Sequence, residues 1–222
     1  MSRYTTWFDR GIRPLDDLAD IDPSKVFVFD TETTGLKAGD DEVLQFSACD
    51  AEGNELMNEL FKPLSKTEWP YATVVNGIHP ADVKGKRSFE DAADEVNALL
   101  DDAQLIVAYN LPFDAGFLRA AGMPLPSDNP VFDAMVEISA YVRTVTDLKP
   151  GRYVSLKSAA AHWGYDFSAH DALNDARATA FVYRNLLSDR SMSSYRAMVA
   201  SLESNRFITE ARDGSQSDRD LR

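Results

Sequence analysis

Short continuous apolar runs alternate along the chain with polar, turn-rich stretches, and this alternation sets the predicted elements. Val26-Phe27-Val28-Phe29 has no polar break, the mark of a strand covered on both faces. Val43–Cys49 predicts a second strand, Glu52-Gly53-Asn54 a turn, and Leu56–Lys62 a third strand paired with the second as a hairpin. Ser88 with Asp91 three residues on reads as a helix start, after which Phe89, Ala92, Ala93, Val96, Leu99 and Leu100 recur at helical spacing. Leu105–Tyr109 predicts another buried strand. Asn110 closes it and reads as the cap of a helix whose first turn holds Pro112, where a missing N–H does no harm. Further helices are predicted over about 132–146, 155–163, 171–188 and 190–204. The prolines and glycines of Pro63–Lys86 predict a loop, and the stretch from Glu210 a polar tail. The expected fold is α/β: a mixed sheet, antiparallel hairpin strands first and parallel strands after, flanked by helices. Residues 1–22 read as an N-terminal extension, 23–190 as the folded domain, and 191–222 as a C-terminal helix and polar tail.

Composition narrows the setting. The 222 residues are 44% hydrophobic and 27% charged, ordinary for a soluble globular protein. No apolar run approaches the roughly 20 residues of a membrane span. Met1–Trp7 lacks the apolar segment of a secretory signal. A single cysteine, Cys49, excludes an internal disulfide framework and suits a reducing compartment. The expectation is a cytoplasmic protein with no membrane contact. The net charge of −13, from 36 acids against 23 bases, argues against a long electrostatic footprint on a polyanion. It leaves chemistry at a strand end open, since metal-binding acids are counted here without their ions.

Three clusters carry candidate chemistry. Asp30-Thr31-Glu32-Thr33-Thr34-Gly35 follows the first strand directly. In extended backbone, residues i and i+2 share a face, so Asp30 and Glu32 present their carboxylates together. Crowded like charges call for a cation or a proton between them, and hard oxygen donors suit Mg²⁺ or Mn²⁺. Gly35 permits a sharp turn and the close approach of a ligand. Asn110-Leu111-Pro112-Phe113-Asp114 places a second acid in the first turn of a helix. His170-Asp171-Ala172-Leu173-Asn174-Asp175 supplies a third. Inside one helix His170 and Asp175 would stand about 140° apart. They meet only if His170 precedes the helix and Asp171 caps it, with Asp175 in the second turn. Any one of these clusters alone is commonplace. Together they put four carboxylates and a histidine where strands end or helices begin, and such ends gather on one rim of an α/β sheet.

Phe29-Asp30-Thr31-Glu32-Thr33-Thr34-Gly35-Leu36, Asn110-x-x-Phe113-Asp114 and His170-x-Ala172-x-x-Asp175-Ala176 resemble, in order and separation, the three motifs of the DnaQ-like (DEDDh) 3′–5′ exonucleases. The likeness spans about residues 24 to 188. It implies a ribonuclease H-like fold and two divalent ions, Mg²⁺ or Mn²⁺. Asp30 would bridge both ions, Glu32 and Asp175 would hold the one that activates water, and Asp114 would help hold the other. His170 would be the general base. Thr33, Thr34, Gly35, Leu36 and Asn110 match positions that meet the terminal nucleotide or flank it. The implied substrate is a nucleic acid with a free 3′ end, single-stranded DNA favoured, and the product a 5′-mononucleotide. Within the family the wording is most similar to the proofreading epsilon subunits of bacterial DNA polymerase III, which would make a polymerase a partner.

Other readings stay open at this level. The 2′-OH that separates RNA from DNA leaves no trace in the motifs, so RNA trimming is an alternative. So are a non-catalytic module that binds strand ends and a Ca²⁺-stabilised structural site. Lys84, Lys86, Arg87, Arg119, Lys149 and Arg152 are candidates to guide a strand, although a solvated surface accounts for them better. His79 and His162 read as structural.

Overall fold

Val26, Phe27, Val28 and Phe29 are nearly or fully buried, and they form the first half of β1 (Val26–Thr33), the central strand of a five-stranded sheet. In this computed structural model the described residues are Leu18, 20–145 and 153–188. Most of the N-terminal extension, the helix predicted over 190–204, the polar tail, Lys149 and Arg152 lie outside them. β2 (Val43–Cys49) and β3 (Glu55–Leu60) follow, then β4 (Leu105–Ala108) and β5 (Val131–Asp133), in the spatial order β3-β2-β1-β4-β5. β1 pairs antiparallel with β2, which pairs antiparallel with β3, whereas β1–β4 and β4–β5 are parallel. This is the mixed, ribonuclease H-like sheet.

Alternation along β1 builds two layers. Phe27 and Phe29 point to one face, where they stack with Phe46 at centroid distances of 5.5 to 6.4 Å. There they meet α2 (Ala93–Asp102) through Val96 and Leu100, and α3 (Leu111–Ala120) through Leu111, Ala115 and Leu118. Val26 and Val28 point to the other face, with Cys49 and Val107. Covering that face are α4 (Ala134–Val145), α5 (Leu156–His162) and α6 (Ala172–Ser188). Ala176 and Ala180 are fully buried, and their small side chains bring α6 close to β1 and β2.

Two elements escape the apolar pattern. The segment Pro63–Lys86, expected as loop, contains α1 (Pro70–Asn76). Pro70 opens it, where no N–H is required, and Gly77 ends it in the left-handed region at φ 71°. Two of the residues that suggested a loop, Pro70 and Gly77, are helix punctuation. β5 occupies the start of the segment predicted as helix from 132, and its three residues are too few to show a period. Elsewhere β1 runs past Phe29 to Thr33, so the acidic pair lies inside the strand rather than after it.

Candidate active site

β1 changes character along its length. On the face beneath α6, Val26 and Val28 give way to Asp30 and Glu32, and a register shift follows Glu32 as the strand leaves the sheet. The apolar half anchors the strand, and the acidic half opens at the rim. Asp114 stands in the first turn of α3, buried, where its Oδ1 accepts the Thr31 amide at 3.0 Å and the Thr31 hydroxyl at 2.6 Å. α6 begins at Ala172, as a cap at Asp171 requires, and Asp175, its fourth residue, closes the first turn. Asp171 caps that helix by accepting the Asn174 amide at 3.0 Å.

His170 precedes the helix with φ at 68°, a left-handed conformation that a side-chain-bearing residue adopts at a cost. Its amide donates to Asp175 Oδ2 at 2.9 Å, which offsets that cost and fastens the histidine to the acid. Glu32, His170 and Asp175 each offer a ligand atom, and those atoms lie within 4.8 Å of one another. The imidazole is exposed while Asp175 is buried, so the cluster has one wet side. Beside it an open cleft of about 450 Å³ runs past Asn76, Lys86 and Asp171.

The acids do not sit comfortably as anions. Burial, and then the charges of Asp114, Asp175, Glu32 and Asp171, hold the Asp30 carboxyl well above its ordinary range. Burial and the Asp175 charge push Glu32 up to about 7, against a hydrogen bond from Asn76 that favours the anion. Burial pushes Asp114 up to about 7 despite the two bonds from Thr31. Asp175 is raised by burial, and the His170 amide opposes the shift. One atom decides what this means. Asp175 Oδ1 is buried without a hydrogen-bond partner. A buried lone pair that is left unmet costs about 1–3 kcal/mol, more on a charged group. An orphaned oxygen within a crowd of hard oxygen donors and one imidazole fits a divalent cation. Glu32, His170 and Asp175 form the potential coordinating cluster, with Asp30 and Asp114 electrostatically joined to it.

The nucleotide-flanking candidates divide. Thr33 and Thr34 are buried in the turn: the Thr33 hydroxyl donates to Gly35 O at 2.5 Å, and Thr34 Oγ1 accepts the Glu42 amide at 3.0 Å. Leu36 is 87% exposed, an apolar side chain held out into solvent. Gly35 departs from expectation. Its φ is not positive, and a Cβ there would meet the Asp41 carboxylate at 2.5 to 2.6 Å, so the glycine makes room for Asp41. Asn110 adopts the left-handed region at φ 70°, but its side chain makes no cap hydrogen bond. Asp133 caps α4, accepting the Val136 amide at 3.1 Å, and the nearby amides of Asn110 and Leu111 at the start of α3 favour its anion against burial. Nothing in the sequence marked Asp133. Arg87, a candidate guide, is spent between Glu59 and Glu95, each at 2.6 Å.

A mixed sheet with a carboxylate cluster at the exit of its central strand defines a ribonuclease H-like protein with a metal-type site. Residues 27–183 match the RNase_T exonuclease family model, and the chain belongs to that family. It is 33% identical over 179 residues to a PolC-type DNA polymerase III of Thermotoga maritima, covering 78% of this chain and 12% of that protein. It is also 33% identical over 184 residues to a DNA polymerase III subunit epsilon-like protein of Rhodobacter capsulatus, covering 78% of this chain and 24% of that protein. The chain therefore spans a quarter or less of these relatives. Escherichia coli exonuclease I, solved with a dA16 oligonucleotide, shares the fold at a TM-score of 0.59 and 21% identity, over 78% of this chain and 45% of that one.

Proposed function

We propose that this chain is a divalent-metal-dependent 3′–5′ exonuclease that hydrolyses terminal phosphodiester bonds of DNA and releases 5′-mononucleotides. The observation that carries the reading is the buried, unpartnered Oδ1 of Asp175 beside Glu32 and His170. Family membership sets the reaction class, and the polymerase-type relatives favour DNA and a polymerase partner. Two Mg²⁺ or Mn²⁺ ions, held by Asp30, Glu32, Asp114 and Asp175, would stabilise charge on the attacking and leaving oxygens. The chain's own residues do the rest. His170, exposed at the rim and tied by its amide to Asp175, takes a proton from the attacking water. Thr31 holds Asp114 against β1, so that the second acid cannot swing away. Thr33, Thr34 and Gly35 offer backbone to the terminal nucleotide, and Leu36 offers its apolar side chain to the base. Asn110 flanks the same end.

The test compares matched DNA and RNA oligonucleotides, single- and double-stranded, at a stated salt concentration. Shortening of DNA from the 3′ end in Mg²⁺ is expected, lost in Asp30→Ala and Asp175→Ala variants that keep their fold. Degradation that persists in excess chelator would sink the reading. A preference for RNA would move the substrate and leave the chemistry.

A further inference from the structure

Gln45 stands directly across from Glu32 in the antiparallel register of β1 and β2. Its side chain is largely buried, on the face that α6 covers. Gln45 Oε1 accepts the amide of Ala172, the first residue of α6, at 3.2 Å. Gln45 Nε2 donates to Asn58 Oδ1 at 3.1 Å, and the Ser47 hydroxyl donates to the same oxygen at 2.9 Å. Ser47 in turn lies across from Asp30. An amide side chain has one acceptor end and one donor end. With its nitrogen committed to Asn58 on β3, the oxygen of Gln45 is directed at the helix. A polar group in this covered place costs stability unless its partners are met, and here both are.

The consequence concerns distance. Glu32 belongs to the sheet, while His170 and Asp175 belong to the start of α6, 138 to 143 residues later in the chain. Their ligand atoms nevertheless lie within 4.8 Å. The Ala172 amide is an N–H at that start which the sheet itself holds, whereas Asn174 is capped locally by Asp171.

We propose that Gln45 is a positioning residue: through Ala172 it sets the separation between Glu32 and the pair His170–Asp175, and so the geometry in which a metal ion is held. The inference rests on the exonuclease reading for its activity readout alone. Gln45→Met keeps length and loses both hydrogen bonds, and Gln45→Glu keeps an acceptor facing Ala172. In Gln45→Met, Mn²⁺ affinity measured by calorimetry should fall about ten-fold, and Ala172 amide exchange should quicken. Activity should fall about 10–100-fold in kcat, with KM for a fixed oligonucleotide within about two-fold. Gln45→Glu, which keeps the acceptor for Ala172 but loses the donor to Asn58, should recover the Mn²⁺ affinity and the kcat to within about three-fold of wild type. Wild-type Mn²⁺ affinity in Gln45→Met, with faster Ala172 exchange, would mean that the bond merely stabilises the fold and would overturn the proposal. Should Gln45→Met fail to fold, Asn58→Ala carries the test: it releases the amide's donor end and should weaken Mn²⁺ by about three-fold, and unchanged affinity overturns. The Mn²⁺ and exchange arms need no nuclease activity. A wild-type protein that binds Mn²⁺ without shortening DNA or RNA would end the exonuclease reading and leave these arms to decide.

Discussion

Asp175 shows what a single oxygen can imply. One of its carboxylate oxygens is fastened to the His170 amide and the other is buried with nothing to meet it. Burial raises Asp30, Glu32 and Asp114, with neighbouring acids adding to it, and the effect on stability has a definite sign. Glu32 and Asp114, each pushed up to about 7 in the fold, titrate lower when unfolded. Between the two values the folded state binds more protons. Their stabilising contribution is therefore complete in acid and is lost as pH rises through 7. The metal-free protein should melt at a lower temperature at about pH 8 than at about pH 5 from these groups, and Mg²⁺ at pH 8 should raise the melting temperature. Scanning calorimetry with and without chelator checks this, and metal binding near pH 7 should release protons. His170→Ala should cost about 10²–10⁴-fold in kcat while leaving the fold intact, measured by single-turnover hydrolysis. The acids and the histidine were legible in the sequence because metal chemistry demands those residue types. Thr31, Gln45 and Asp133 were not. They are ordinary polar residues whose roles come from register and from which amides they happen to face.

At the scale of elements, the joints between strands and helices place the site. Asp133 closes β5, caps α4 through the Val136 amide and faces the amides at the start of α3, the helix that carries Asp114. Asp133→Ala should destabilise the protein by about 1–3 kcal/mol in urea unfolding and should lower activity by loosening Asp114. Asp133→Asn, which keeps an acceptor oxygen, should recover part of both. The strands β1, β2 and β4 and the helices α3 and α6 could be read along the chain because each carries an unbroken apolar run or a full helical period. α1 could not, since its seven residues lie between Trp69 and Gly77 and its face bears Tyr71 and Val74, both exposed. Tyr71, Val74 and Val75 recur at helical spacing, but seven residues are too few to establish a period. Its Asn76 nevertheless reaches Thr33 O at 3.3 Å and hydrogen-bonds Glu32, so a helix hidden from the pattern braces the acidic strand.

Across the whole molecule, charge and topology act together. The net charge is −13, and Arg87 is already occupied by two glutamates. The excess of acid opposes a strand's phosphates along any extended contact. The salt dependence of kcat/KM on single-stranded DNA should accordingly be shallow, with a logarithmic slope of magnitude below about 3, corresponding to a few displaced counterions. A steep slope would point instead to an extended basic track. The topology carries a different consequence. His170 and Asp175 arrive just before and within α6, which crosses a sheet built entirely from earlier sequence. On the exonuclease reading, a nascent chain that has emerged only through β5 would hold its first two acidic motifs without a working centre, and cutting power would appear only once α6 seats. Fragments divided near residue 165 should each be inert and should regain hydrolysis when mixed. The order of synthesis would then act as a safety catch, withholding a nucleic-acid-cutting centre until the sheet that must hold it is complete.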